Sequence, residues 1–511
     1  MLAKTLIERA SAQYANKKAI IFKDREYTFQ EVNQRANKLA NALLDLGIDK
    51  TTRVAVLKPN QPEHIEITFA LIKCGAVDVT INPRLKLEEI AYLINDSESE
   101  AVIMTEEYPE KILSIKKDLS SVKHFIAVGG AKYGMIDYED FMSRSDPANP
   151  EVALQGDEIC HISYTSGTTG RPKGILNTRD SSLAMTVNVM LDLVPHINRQ
   201  DTFLALQPLY HGAGPLIIPA WVRGLTHVIV PDFTPETAFE AIMKHKVTLI
   251  KTVPTVLVRL LAAMDLGVHD MSTVHTIIYG GSPMPTDKLI QGIELLGPVF
   301  INNYGQAEAP MTITILGKED HLDQKRLSSS GKPYTMVEVR VVDARGNDLP
   351  PGEAGEVIVR GDHMMTGFWK MPVETGEAIR DGWLYTRDVG RFDEEGYLYL
   401  VDRKSEMIVT GGLNVYPNEV EQVIYQHPAV LEAAVFGMPD PDWVEAVHAA
   451  VVLKEGYQVT EEELLDFCKS RLAGFKKPKE IGFYESLPKN AAQKIVRRMA
   501  KEQHLKSRIN I

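Results

Sequence analysis

Along roughly the first 330 residues, stretches of helical periodicity alternate with short β-branched runs, and this alternation restricts the fold more than any single residue does. Apolar side chains recur at helical spacing from Phe29 to Leu46 (Val32, Ala36, Leu39, Leu43, Leu46), and Gly47 suits the position just past a helix end. Arg53–Leu57 then reads as a buried strand, Ile65–Gly75 as a helix and Ala76–Ile81 as a second strand. Further strands are expected at Ala101–Met104, Phe125–Val128, Thr226–Val230, Thr248–Thr252 and Thr276–Tyr279. Such alternation predicts parallel sheets covered by helices on both faces.

Near residue 330 the period changes. Val337–Val342 alternates every second residue, Asp343–Asn347 supplies turn residues, and Glu356–Arg360 and Tyr397–Val401 are further short strands. A small antiparallel, barrel-like sheet on the α/β body is the expectation. Beyond it, Pro417 opens a helix to about Gln426, Ala433–Phe436 and Ala446–Leu453 read as strands, and a Thr460–Glu463 capping box precedes a helix over Leu464–Leu472. The predicted organisation is a large α/β N-terminal domain, 1–402, and a smaller mobile α+β C-terminal domain, 403–511, with the hinge near Asp402–Ser405.

Lys and Arg number 56 against 68 Asp and Glu in 511 residues, a formal net charge of −12. Binding along a nucleic-acid backbone needs a cationic surplus on one face, so that class is excluded, whereas a local pocket for one small anion is not. Cys74, Cys160 and Cys468 are odd in number and far apart, which suits a reducing compartment and neither a disulfide framework nor a metal-ligand spacing. No apolar run approaches the roughly 18 residues of a membrane span, and neither end reads as a targeting signal. A cytoplasmic protein without an integral membrane segment is expected, and a homodimer is compatible with that.

The densest chemistry lies in Tyr164-Thr-Ser-Gly-Thr-Thr-Gly-Arg-Pro-Lys-Gly174, directly after a strand at Ile159–Ser163. Four hydroxyls (Thr165, Ser166, Thr168, Thr169), three glycines including Gly167, and two cations fall within eleven residues. Glycines let backbone N–H groups close around a phosphate, hydroxyls add donors, and Lys173 adds a point charge. The glycine spacing and Gly-Lys-Ser/Thr ending of a P-loop are missing. A plain surface loop needs no such density of donors beside a lysine.

This segment resembles the phosphate-binding signature of the adenylate-forming superfamily, which includes acyl-CoA synthetases, aryl-CoA ligases, nonribosomal adenylation domains and firefly-type luciferases. Six further segments follow in that family's order: Gln207-Pro-Leu-Tyr-His-Gly-Ala-Gly214, Tyr279-Gly-Gly-Ser-Pro-Met284, Asn302-Asn-Tyr-Gly-Gln-Ala-Glu308, Gly382-Trp-Leu-Tyr-Thr-Arg-Asp-Val-Gly390, Asp402-Arg403-Lys404 and Pro488-Lys-Asn-Ala-Ala-Gln-Lys494. The resemblance implies a small domain that rotates between two half-reactions. It implies that Lys494 bridges a carboxylate and the α-phosphate of ATP, and that Glu308, with Thr165, coordinates Mg²⁺. For the nucleotide it implies Thr165, Ser166, Gly167, Thr168, Thr169 and Lys173 at the phosphates. Tyr304 would stack on adenine, with Gly280, Gly281, Ser282, Asn302, Asn303 and Gly305 around it, and Asp388 and Arg403 would hold the ribose.

For the second step the resemblance implies that Gly411 and Gly412 line the path of coenzyme A and that Asn414 sits by the thioester. His211 would orient the acyl carbonyl or gate entry. The acid would lie against His211, Gly212, Ala213, Gly214 and the strand from Tyr279, where small residues leave room for a ring or a medium chain. No cationic side chain stands out there in the sequence, so a monocarboxylic acid is expected, whether aromatic, alicyclic or a medium-chain fatty acid.

Three positions depart from the family pattern: Ala307 stands where a Thr is usual, Ser405 where Asp or Lys is usual at the hinge, and Gln493 where Gly often precedes the terminal lysine. The reading is an ATP-dependent, AMP-forming acid:CoA ligase. The alternatives are a free-standing adenylation enzyme that loads a carrier protein, and a nucleotide-binding homologue impaired by Ala307.

Overall fold

The computed structural model describes residues 2–165, 172–403, 406–410, 413–490 and 493–509. Two large sheets form the body. One has eight strands in the order Gly367–Phe368, Lys173–Thr178, Ile159–Thr165, Val77–Thr80, Arg53–Leu57, Ala101–Met104, His124–Ala127 and Ile136–Asp137. The other has nine, in the order Lys332–Pro333, Thr314–Leu316, Phe300–Tyr304, Thr276–Gly280, Leu249–Thr252, Thr202–Ala205, Thr226–Ile229, Lys18–Phe22 and Arg25–Thr28. Six consecutive strands of each sheet run parallel; antiparallel strands close both edges of the nine-stranded sheet and one edge of the eight-stranded sheet, whose other edge is the parallel strand Ile136–Asp137.

The strands read as unbroken apolar runs because both faces are covered. Successive side chains point to opposite faces, so Leu249, Ile278 and Ile301 enter one core cluster and Ile250, Ile277, Tyr279 and Phe300 enter another behind the sheet. Helix ends follow local chemistry. Thr28 and Glu31 form a reciprocal capping box at the start of Phe29–Asp45, and Gly47 takes a left-handed φ of 84° just beyond its end.

The expected antiparallel subdomain is present as a curled sheet of Glu338–Val342, Gly355–Arg360, Trp383–Phe392 and Ile379–Arg380, with Leu398–Arg403 paired to Trp383–Phe392. In the small domain the strand expected at Ala433–Phe436 runs from Val430 to Asp440. Gly437 and Pro439 break its sequence signal, yet both keep ladder partners in Val444–Leu453. Arg497–Ile509, which reads as a basic tail, is a helix. His504 ties it to the sheet by bonding His448 at 3.2 Å and Tyr484 at 2.9 Å. Cys74 and Cys468 are buried, Cys160 is half-buried, and none is paired. Among the described residues no helix is long and apolar enough to cross a membrane.

Three fully buried histidines carry a pH consequence. Burial holds His64 and His227 down to about 3, and His363 to about 4. Between those values and about 6.5 the unfolded chain binds protons that the folded chain does not, so stability rises with pH across that window and levels off above it. Thermal midpoints between pH 4 and 8 should therefore fall steeply below pH 6 and be flat above 7; a flat profile to pH 4 would contradict these assignments.

Candidate active site

The antiparallel pair Ile159–Thr165 and Lys173–Thr178 places Thr165 opposite Lys173, which brackets the Gly- and hydroxyl-rich segment at one strand end. Ser166, Gly167, Thr168 and Thr169 lie outside the described residues, as do Lys404, Ser405, Gly411 and Gly412. The Tyr164 hydroxyl anchors this corner by donating to Asp96 at 2.7 Å. The Lys173 ammonium lies over the Phe368 ring, 5.2 Å from its centroid.

At the ends of two parallel strands, Gly280 sits beside Asn303 so closely that an added Cβ would come 2.2 Å from the Asn303 carbonyl oxygen. Gly281 follows with φ of 89°, and a Cβ there would meet Cε and Nζ of Lys494 at 2.9 Å. The lysine of the small domain thus lies directly over the turn after the strand. Its loop is secured from the large domain, where the Thr255 hydroxyl donates to the Gln493 carbonyl at 2.5 Å. Gln422 extends that docking, accepting from the Thr286 N–H at 3.3 Å and donating to the Met284 carbonyl at 3.4 Å. Gln493 has φ of 62°, the left-handed region where Gly is easiest. Gln493 therefore takes a conformation that a glycine would adopt more easily.

Tyr304 donates its hydroxyl to the Asp388 carboxylate at 2.6 Å, and the same oxygen accepts from Gln306 at 2.5 Å. Gln306 also donates to the Thr386 carbonyl, so it holds the strand carrying Asp388 against the Tyr304 loop. Sequence reading overlooked Gln306, although it stands inside the Asn302–Glu308 segment. Arg403 ends the neighbouring strand, opposite Asp388 in the ladder. Gly305 lies so near the Met311 backbone that a Cβ would come within 2.4 Å of its nitrogen. Ser282 is half-buried beside Gly281.

The structure redirects three expected site residues. Tyr279 points behind the sheet, where its hydroxyl meets His321 at 3.0 Å, so only its backbone faces the expected acyl pocket. Asn302, on the neighbouring strand, shares the rear face with it. Strand alternation is the reason: residues 279 and 302 are ladder partners and point the same way. The Asn303 amide is committed within the protein, accepting from Lys251 at 2.5 Å and donating to the Met311 carbonyl at 3.2 Å. Both ends of that carboxamide therefore have protein partners here.

Lys251 is also the cation that the sequence does not advertise. It follows the apolar pair Leu249–Ile250 in a core strand and is 3% exposed. Burial, and then the Lys494 charge, lower its pKa to about 7.

His211 occupies the turn after Gln207, with Gly212 against the Gln207 side chain and Gly214 against the Leu209 carbonyl. Ala213 is buried. The His211 side chain faces open space on one side, but protein packed on its others, with the Lys494 charge, lowers its pKa to about 4. It is a neutral ring at pH 7, suited to orienting a carbonyl oxygen by donating its single N–H. Asn414 is exposed on the Ile408–Thr410/Leu413–Val415 hairpin.

Glu308 is half-buried, its backbone carbonyl accepting from the Met365 N–H at 2.8 Å. Ala307 before it is packed on the apolar core. A single neutral hydrogen bond contributes about 0.5–1.5 kcal/mol, so Ala307→Thr should alter the adenylation rate by no more than about tenfold, in the favourable direction. ATP–pyrophosphate exchange measures this, and a loss of a hundredfold would place the α-phosphate elsewhere.

Comparison with known proteins covers both domains. The family described as AMP-binding enzyme matches residues 7–369, and the AMP-binding enzyme C-terminal domain matches 419–494. A feruloyl-CoA synthase from Amycolatopsis sp is 34% identical over 472 residues, which is 92% of each chain. The anthranilate CoA ligase AuaEII in complex with anthranoyl-AMP superposes with a TM-score of 0.91 at 29% identity, over 100% of this chain and 98% of that one. The amide bond synthetase McbA from Marinactinospora thermotolerans gives 0.90 at 29% identity, over 98% and 99%. One family accounts for the large and the small domain alike, and the chain belongs to it: an AMP-binding enzyme of the adenylate-forming superfamily, of the AMP-forming acid–thiol ligase type.

Proposed function

We propose that this chain joins a carboxylic acid with an aromatic, alicyclic or medium-chain body to coenzyme A, in two steps at one site. In the first, a carboxylate oxygen attacks the α-phosphorus of ATP, the bond to the β-phosphate oxygen breaks, and pyrophosphate leaves. In the second, the sulfur of the thiol attacks the acyl carbonyl carbon, AMP leaves as the carbon–oxygen bond breaks, and the thiol proton is released. The observation that carries this reading is Lys494 over Gly281. A mobile-domain ammonium there neutralises charge that develops on the carboxylate and the phosphate together.

Lys173 and the Thr165 hydroxyl support the phosphates, the paired Tyr304 and Asp388 present a ring face and a carboxylate to the nucleoside, and neutral His211 orients the acyl carbonyl. Glu308 and Thr165 offer only oxygen donors, the set that Mg²⁺ takes together with substrate phosphates. The ion would supply Lewis-acid polarisation of those phosphates. Since the small domain presents Lys494 in this pose, a rotation that withdraws it would bring the exposed hairpin with Asn414 towards the acyl group.

The sequence-based expectation of a single carboxylate rested on the lack of a nearby cation, and Lys251 removes that support. ATP–pyrophosphate exchange across benzoates, cinnamates, cyclohexane carboxylates and C4–C16 acids tests the first step. Thioester formation on adding coenzyme A alone tests the second. Exchange without thioester would favour a carrier-protein or amine acceptor, and absence of exchange with every acid would reject adenylation.

A further inference from the structure

Lys251 stands where the core calls for an aliphatic residue. Leu249, Ile278 and Ile301 fill the same face of the sheet around it. Among the described residues its side chain has one hydrogen-bonding partner, the uncharged Asn303 carboxamide at 2.5 Å, and no carboxylate. An ammonium carries three donors, so two are unspent. Burying such a charge without a counter-ion costs several kcal/mol, and a costly, locally inconsistent residue inside a site is a mark of function.

The position is informative. Asn303 lies against Gly280, its Oδ1 2.9 Å from where a Cβ would be, and Gly281 next to it carries Lys494. The two ammonium groups thus flank one short turn. A carboxylate engaged by Lys494 would leave the body of its own molecule near Lys251. The wall beyond is not fully packed. Ala205, the ladder partner of Lys251, helps line a small cavity with Phe203, Leu209 and His227, and His227 Nε2 has no hydrogen-bond partner among the described residues.

We propose that Lys251 is the seat for an anionic oxygen group, a second carboxylate or a phenolate, borne on the body of the acid that is being activated. This rests on the adenylation reading above. The incoming anion supplies the counter-charge the fold omits, fills the unspent donors, and holds the ammonium protonated. An acid without such a group supplies no counter-charge, so Lys251 either keeps its charge without a partner or gives up its proton, and the acid is disfavoured by the stabilisation it fails to gain.

The test is pyrophosphate exchange by the full-length wild-type enzyme, Lys251→Met and Lys251→Gln with matched acids. Suitable sets are cinnamate against 4-hydroxycinnamate and 4-carboxycinnamate, and hexanoate against adipate. The wild type should favour an oxygen-bearing member over its plain partner by at least tenfold in kcat/KM. Lys251→Met should bring that ratio to one or below while leaving the KM for ATP within about threefold and raising the thermal midpoint. Lys251→Gln keeps a polar side chain in case Met disturbs the wall, and should also erase the preference. Whichever arm, carboxylate or phenol, shows the larger ratio identifies the group. A wild type that exchanges only with plain acids, or a ratio unmoved in both variants, overturns the assignment while leaving adenylation intact. No exchange with any acid would instead overturn adenylation itself.

Discussion

Lys494→Ala should lower ATP–pyrophosphate exchange by about 10²–10³-fold, the range seen when one preorganised charge-stabilising donor is removed. Thioester formation from a synthetic acyl-adenylate and coenzyme A should stay within about threefold of wild type, because that step needs the lysine withdrawn. The reason is positional. Lys494 reaches the Gly281 turn only because its loop is held by Thr255 through the Gln493 carbonyl and by Asn490, whose side chain accepts from the Lys494 N–H at 3.0 Å. Equal losses in both half-reactions would count against one small domain serving two poses.

The largest stability effect is expected at Arg497. Its guanidinium donates to Glu421 through two nitrogens at 2.8 and 2.7 Å, to Asp402 at 2.9 Å, and to Glu406. Asp402 lies on the strand Leu398–Arg403, Glu406 follows it shortly in the chain, and Glu421 lies on the helix Pro417–Tyr425. The Asp402 side chain is 3% exposed and that of Glu421 10%. Arg497→Met removes the cation and leaves two buried carboxylates facing each other, so a loss of about 3–5 kcal/mol in the small domain is expected. Arg497→Lys should recover only part of it, since an ammonium cannot reproduce the planar fork. Separate midpoints for the two domains, followed by hydrogen exchange during denaturation, would show this. An unchanged small-domain midpoint would mean that the three acids are solvated without the arginine.

Much of this was legible in the sequence. The parallel strands and the Phe29–Asp45 helix are visible because burial on both faces makes a strand continuously apolar, and because one buried stripe gives a helix its period. Gly280, Gly281 and Lys494 each stand out in their own segments, but that Lys494 lies over Gly281 is visible only in three dimensions. What failed to show was facing. Tyr279 and Asn302 sit in the right segments, but strand alternation turns them behind the sheet, and a one-residue parity cannot be read from motif membership. Lys251 and Arg497 escaped for a different reason. Each is a basic residue that looks solvated in one dimension and is buried by contacts dozens or hundreds of positions away.

The strand Phe300–Tyr304 acts as a party wall. Asn303 braces the compartment that would receive the acid, while its immediate neighbour Tyr304 joins Asp388 on the side that would receive the nucleoside. Redesign that moves the strand itself would therefore disturb masonry shared by both rooms, whereas a change confined to a side chain on the acid's side, such as that of Lys251, leaves the nucleoside's room standing.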